Sequence, residues 1–122
     1  MIGLGNDIQS ITEFANAHAL HEPDVVLTRR EWLYCRGTEH PVQSMAGIFA
    51  AKEALLKALP QRPACFWTDM EIVHAEHGRP RFVFSGALAQ RLASLGLQTL
   101  VSISHSGDYA HAVAVVTARR DA

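Results

Sequence analysis

Apolar and polar residues alternate along this chain with two different periods, and the switches between them divide it into short elements. Ile2-Gly3-Leu4-Gly5 has the period of two expected of a short strand, and the pattern stops at Asn6-Asp7. Ser10-Ile11-Thr12-Glu13 has the S-x-x-E form of a capping box. It predicts a helix from Ile11 that turns Ile11, Phe14, Ala15 and Ala17 inward, with Pro23 closing it. A second capping box, Thr28-Arg29-Arg30-Glu31, predicts a short helix through Trp32 and Leu33 that stops at Gly37. The longest pattern runs from about Val42 to Leu59. Its stripe of Met45, Ile48, Phe49, Leu55, Leu56 and Leu59 has helical three-four spacing, and Pro60 and Pro63 end it. Trp67 to His74 alternates as a strand, Glu76 to Pro80 reads as a turn, and Arg81 to Phe84 as a returning strand. Ser85 and Gly96 bracket a helix carrying Leu88, Leu92 and Leu95. Val101 and Ile103 then alternate with Ser102 and Ser104, Ser106-Gly107-Asp108 turns the chain, and Ala110 to Val116 returns. These elements predict an α+β fold, a small antiparallel sheet packed with helices.

Composition narrows the function classes. The 122 residues fall within the length of one domain. A chain of that size buries about two-thirds of its unfolded surface, which leaves little room to enclose a large ligand alone. An apolar fraction of 48% excludes disorder, and the net charge of -1 excludes broad electrostatic capture of nucleic acid. No apolar run approaches the roughly 20 residues of a membrane span, and Met1 to Asp7 has no basic signal-peptide region. The expectation is a soluble cytoplasmic protein in which Cys35 and Cys65 are reduced thiols. His74 and His77 have metal-ligand spacing only on a helix, and their surroundings read as strand and turn.

The central helix carries the candidate chemistry. At 100° per residue, Ala46, Ala50, Glu53 and Lys57 share one strip beside the apolar stripe. Glu53 and Lys57 read first as an i,i+4 surface pair worth a few tenths of a kcal/mol. Two features point further. Small Ala46 and Ala50 leave a flat floor beside the charges, and Lys52 sits near the centre of the apolar stripe, where it must snorkel or meet an anion. Asp7, at a strand-to-helix junction, either helps cap the helix or offers oxygen to a hard cation. Asp7 and Glu53 with Lys57 a turn away would form a two-carboxylate Mg²⁺ site beside a phosphate-binding lysine. His105 enters a turn, where a structural hydrogen bond is its ordinary use. Ser102 and Ser104 offer hydroxyl donors to an anion.

Four segments in order, Gly3-Leu4-Gly5-Asn6-Asp7-Ile8, Phe49 to Ala58 (Phe-Ala-Ala-Lys-Glu-Ala-Leu-Leu-Lys-Ala), Gly78-Arg79-Pro80 and Val101-Ser102-Ile103-Ser104-His105-Ser106, span nearly the whole chain. Together they resemble the holo-[acyl-carrier-protein] synthases, the small 4'-phosphopantetheinyl transferases. The resemblance implies that residues 1–122 form one such domain, which moves the phosphopantetheine arm of coenzyme A onto a serine of an apo acyl carrier protein or related carrier domain. Adenosine 3',5'-bisphosphate is released. It further implies that Asp7 and Glu53 hold Mg²⁺ against the pyrophosphate and that Lys57, with Lys52, contacts phosphate. Gly78, Arg79 and Pro80 would line the nucleotide pocket, with Ser104 and His105 near coenzyme A. The serine would lose its proton to Glu53 or to a metal-ordered water. Family members are typically homotrimers with coenzyme A sites between subunits, and the charge and apolar runs above leave no membrane or nucleic-acid partner expected.

Three departures from the family pattern stand out. Ile48 replaces a frequent arginine, and Pro60 stands where a glycine commonly follows the helix. The first helix, which in typical members carries arginines that dock an acidic carrier, has no Lys or Arg between Ile11 and Glu22. The expectation is an enzyme for a specialised carrier, docked by apolar contact and by Arg29 and Arg30. The alternative is a weakly active or non-catalytic relative that binds coenzyme A or a carrier.

Overall fold

Strand β1 (Gly3–Ser10) runs straight into helix α1 (Ile11–Asn16), and a 3-10 turn (His18–His21) leads on to helices α2 (Arg29–Arg36) and α3 (Pro41–Ala58). A second 3-10 turn (Trp67–Asp69) opens the hairpin of β2 (Met70–His74) and β3 (Pro80–Phe84). Helix α4 (Gly86–Ser94) then precedes the long hairpin of β4 (Leu97–Ser106) and β5 (Tyr109–Ala118). The structure is a computed structural model that describes residues 2–119. The pairings between these strands are all antiparallel. β5 lies at the centre of a three-stranded sheet in the order β1-β5-β4, and β2 and β3 form a sheet of their own. The architecture is α+β, as the hydrophobic pattern predicts. Among the described residues no helix is long and apolar enough to cross a membrane, and both cysteines are free thiols.

Helix α3 packs across one face of the three-stranded sheet, and the contact uses unusually small residues. A Cβ on Gly3 would lie 1.7 Å from the carbonyl oxygen of Ala58, and one on Gly5 would lie 2.0 Å from that of Ala54. Only glycine admits a helix backbone that close to a strand. The opposing β5 residues Ala110, Ala112, Ala114 and Val116 are all fully buried, as are Ala46 and Ala50 of the helix. The flat floor expected beside Glu53 is therefore consumed by the protein's own core and is not open to a ligand.

The boundaries differ from expectation where a partner strand or a packing contact intervenes. β1 does not stop at Asn6-Asp7 but pairs with β5 through Ser10, opposite Tyr109, so Asp7 sits in mid-strand opposite Ala112. Only Phe14 of α1 is buried, and the helix ends at Asn16. Trp67 belongs to a 3-10 turn, and the strand begins at Met70. Ser85 makes no side-chain cap for α4; its backbone N–H donates instead to the Asp69 carbonyl.

The anion expected near Lys52 is Glu31. Both side chains are wholly buried, and Lys52 Nζ donates to Glu31 Oε1 at 2.6 Å, to the Val26 carbonyl at 2.7 Å and to the Trp67 carbonyl at 3.2 Å. Glu31 completes the capping box of α2 by accepting from the Thr28 N–H, and its other oxygen accepts from the Ile72 N–H at 2.7 Å. Every donor of the ammonium is satisfied, which is the condition for a buried ion pair to be tolerated. Desolvation lowers the Lys52 pKa, opposed by the Glu31 charge. Burial, reinforced by Glu31, pushes the nearby Cys35 thiol up to about 12. Lys52→Met strands the Glu31 charge and should cost about 3–5 kcal/mol in urea unfolding, whereas the Glu31→Gln/Lys52→Met double variant should recover most of that loss. A single-variant loss below about 1 kcal/mol would contradict the role assigned to the pair.

Candidate active site

Alternation along β1 puts Asp7 on the same face as Gly3 and Gly5, toward α3. The helix turn that meets it carries Lys57, whose Nζ donates to Asp7 Oδ1 at 2.9 Å and to the Asn6 carbonyl at 3.3 Å. The Asp7 side chain is 16% exposed and that of Lys57 is 53% exposed, so the pair lies at the edge of the sheet–helix contact. The i,i+4 pair between Glu53 and Lys57 does not form. Lys57 turns to the strand instead, and half-buried Glu53, one helical turn away, makes no ion pair or hydrogen bond among the described residues. Asp7 and Glu53 are ligands of the type that Mg²⁺ takes. That ion binds through one or two carboxylates and takes its remaining oxygens from substrate and water. No three metal-ligating side chains converge among the described residues.

A second cluster lies where α2, the β2–β3 hairpin and β4 meet α3. The rings of Tyr34 and His74 stack at 3.9 Å with an 8° interplanar angle and separate two clefts. One, of about 680 Å³, is bordered by Arg30, Arg81 and Glu76; the other, of about 170 Å³, by Ser44, Ile48, Pro80 and His105. Gly78 borders both and has φ +78°, the left-handed conformation that opens the β2–β3 turn. Burial lowers the His74 pKa, so its ring is neutral at neutral pH and stacks without a charge. His105 Nε2 lies 3.2 Å from the Gln43 carbonyl, directly above Gly47.

Over residues 3–114 the sequence matches the model of the 4'-phosphopantetheinyl transferase superfamily. The chain belongs to that family. It is 40% identical over 119 residues to the holo-[acyl-carrier-protein] synthase of Streptomyces avermitilis, with 94% of this chain and 96% of the relative covered. In structure it is similar to the holo-[acyl-carrier-protein] synthase of Neisseria meningitidis, with a TM-score of 0.86, 29% identity and 96% and 99% of the two chains covered. It is also similar to the Helicobacter pylori synthase in complex with coenzyme A, with a TM-score of 0.79, 27% identity and coverage of 93% and 99%.

The geometry divides the residues singled out from the sequence. Asp7 and Lys57 are in contact, with Glu53 one helical turn before Lys57, and Gly78, Pro80 and His105 lie together around the smaller cleft. Lys52 belongs to neither. With its ammonium enclosed by Glu31 and two carbonyls it has no surface to offer a phosphate, so the ligand-binding role expected of it gives way to a structural one. Arg79 is exposed at the turn and borders neither cleft. Ser104 and His105 are neighbours on a strand and point to opposite faces. His105 and Ile103 face Gly47, and Ser104 faces outward beside His111. Sequence reading overlooked Tyr34; it took His74 only as a strand histidine and Arg30 only as a carrier contact, whereas both border the larger cleft. The available signal was that Arg30 and Tyr34, one turn apart, put an aromatic ring on the polar side of a short helix.

Gly47→Ala would bring a Cβ to 2.8 Å from His105 Nε2 and 3.0 Å from Ile103 Cγ2. The imidazole is the flexible partner. The substitution should therefore expel the His105 ring from its contact with Gln43, seen as a shifted imidazole resonance by NMR, while stability changes by less than about 1 kcal/mol. An unshifted resonance would contradict that packing.

Proposed function

We propose that this chain transfers 4'-phosphopantetheine from coenzyme A to a serine of an apo acyl carrier protein or related carrier domain, at a site with two halves. The observation that carries the reading is the meeting of Asp7 and Lys57 where β1 crosses α3, with unpartnered Glu53 one turn away. Asp7 and Glu53 would hold Mg²⁺, which when bound neutralises pyrophosphate charge. Lys57 keeps an exposed ammonium edge for the same phosphates, and Asp7 orients it. The carrier serine attacks the pantetheine-side phosphorus and its proton passes to Glu53 or to water that Glu53 orders; adenosine 3',5'-bisphosphate leaves. The cleft of Gly78, Pro80 and His105, walled by Tyr34 and His74, suits the nucleotide end of coenzyme A.

The outer face of the sheet supports a site shared between chains. Leu4, Ile8 and Leu100 are 59%, 63% and 66% exposed there, and Leu4 and Leu100 flank Val115 in one cross-strand row. An apolar sheet face of this kind needs a cover. We assign it to two further copies, in a cytoplasmic homotrimer that brings the outward-facing Ser104 of one chain toward its neighbour. Leu4→Glu should convert trimer to monomer in light scattering and reduce transfer at least tenfold. A wild-type monomer with full activity would overturn the shared site.

The region from Ile11 to Glu22 has no Lys or Arg, and we assign the enzyme to a specialised carrier less acidic than that of fatty-acid synthesis. One mass-spectrometric assay tests both the reaction and the preference. With coenzyme A and Mg²⁺, the specialised carrier should gain a phosphopantetheine-sized mass, and faster than the fatty-acid carrier. Asp7→Ala and Glu53→Gln should each lower the rate by at least a hundredfold. Coenzyme A binding without mass gain on any carrier would instead mark a binding module, and faster modification of the fatty-acid carrier would reverse the assigned preference.

A further inference from the structure

Helix α1 has six residues, too few to hold a helical conformation by propensity alone. Two attachments hold it. Phe14 is buried and its ring packs 5.6 Å from that of Phe49 on α3. At the other end, the turn between β4 and β5 closes over the first residues of the helix. Ser10 Oγ donates to Asp108 Oδ2 at 2.8 Å, and the Thr12 N–H and hydroxyl donate to Asp108 Oδ1 at 3.0 and 2.6 Å. The Ile11 N–H donates to the Asp108 carbonyl at 2.7 Å. Ser10 meanwhile accepts from the Glu13 N–H as the helix's own cap. Four contacts thus arrive from a residue almost at the opposite end of the chain. The hydrogen bonds from Thr12 and Ser10 hold the Asp108 carboxyl below its ordinary pKa, so it remains an acceptor through the neutral range.

The position of α1 relates it to the reactive groups. Phe49, Glu53 and Lys57 succeed one another at one-turn intervals on α3, about 5–6 Å apart along the helix. The helix that packs on Phe49 therefore lies about one helical turn from Glu53, where a protein substrate that brings its serine to Glu53 would meet it. Asp7 is not exposed to the same influence, because paired strand extends on both sides of it.

We propose that Asp108 is a positioning residue for the carrier substrate: from the β4–β5 turn it clamps the start of α1 and so sets the surface that a carrier meets beside Glu53. The proposal rests on the transferase reading above. Its chemistry needs acceptor oxygens rather than a formal charge, and an asparagine retains one oxygen for Thr12 and an amide that reaches Ser10. Losing the clamp affects docking and leaves the bound coenzyme A untouched.

The test is steady-state transfer with wild type, Asp108→Ala and Asp108→Asn, combined with hydrogen exchange at the amides of Thr12 and Glu13. Asp108→Ala should raise the KM for the carrier about fivefold, the size expected for the loss of a helix cap, with kcat and the KM for coenzyme A within about twofold of wild type. Its Thr12 and Glu13 amides should exchange faster, and Asp108→Asn should restore both the KM and the protection. An unchanged carrier KM, a parallel change in all three kinetic parameters, or an Asn variant as impaired as the Ala variant would each overturn the proposal. Wild-type protein that transfers nothing to any carrier defeats the transferase reading, and this proposal with it. Transfer by wild type with an unaltered Asp108→Ala KM defeats the proposal alone.

Discussion

The ammonium of Lys52 has been taken wholly out of water, and much of the remaining architecture follows from satisfying it. Removal of a lysine charge from solvent costs several kcal/mol unless hydrogen bonds and an opposite charge replace the lost hydration. Here the replacements come from four different segments: Glu31 of α2, the Val26 carbonyl before that helix, the Trp67 carbonyl of the 3-10 turn, and, through the second Glu31 oxygen, the Ile72 N–H of β2. None of these can shift without leaving a buried polar group unpaired. Because α3 carries Glu53 and Lys57, α2 carries Tyr34 and β2 ends at His74, the same constraint holds those two helix residues and the clefts beside the Tyr34–His74 stack in fixed relation.

A second constraint sets where strand and helix meet. Gly3 and Gly5 allow β1 to lie against the backbone of α3, and that close approach brings the Asp7 carboxylate within reach of a lysine on the helix. A wider spacing would separate the two by a layer of side chains. The fully buried alanines of β5 and α3 extend the same economy of volume across the sheet. Small residues therefore do here what a large pocket does in bigger enzymes: they bring reactive groups on different elements to contact distance.

The departures at Ile48 and in the first helix acquire a structural setting. Ile48 is buried and borders the cleft shared by Pro80 and His105, so that wall is apolar where a cationic contact is frequent in the family. The charge-poor α1 is held by the core through Phe14 and by the β4–β5 turn, and the side chains it leaves exposed are Thr12, Glu13 and Asn16.

Local pattern sufficed for most elements. The side-chain cap at Ser10, the capping box at Thr28, the stripe on α3 and the turn residues of both hairpins each involve neighbours within a few positions, so their physics is written in consecutive residues. Asp7, Glu53 and Lys57 were legible as candidates through their residue types and the family resemblance, since their spacing alone reads first as a surface pair and a helix cap. Tertiary structure decided what each charge faces. Lys57 pairs with Asp7 rather than with Glu53 four residues away, Lys52 is sequestered by Glu31, Asp7 lies in mid-strand because β5 extends its ladder, and Ser104 and His105 face opposite ways. A side chain's partner depends on desolvation and on contacts between segments distant in sequence, and those are set only when strand, helix and hairpin pack together.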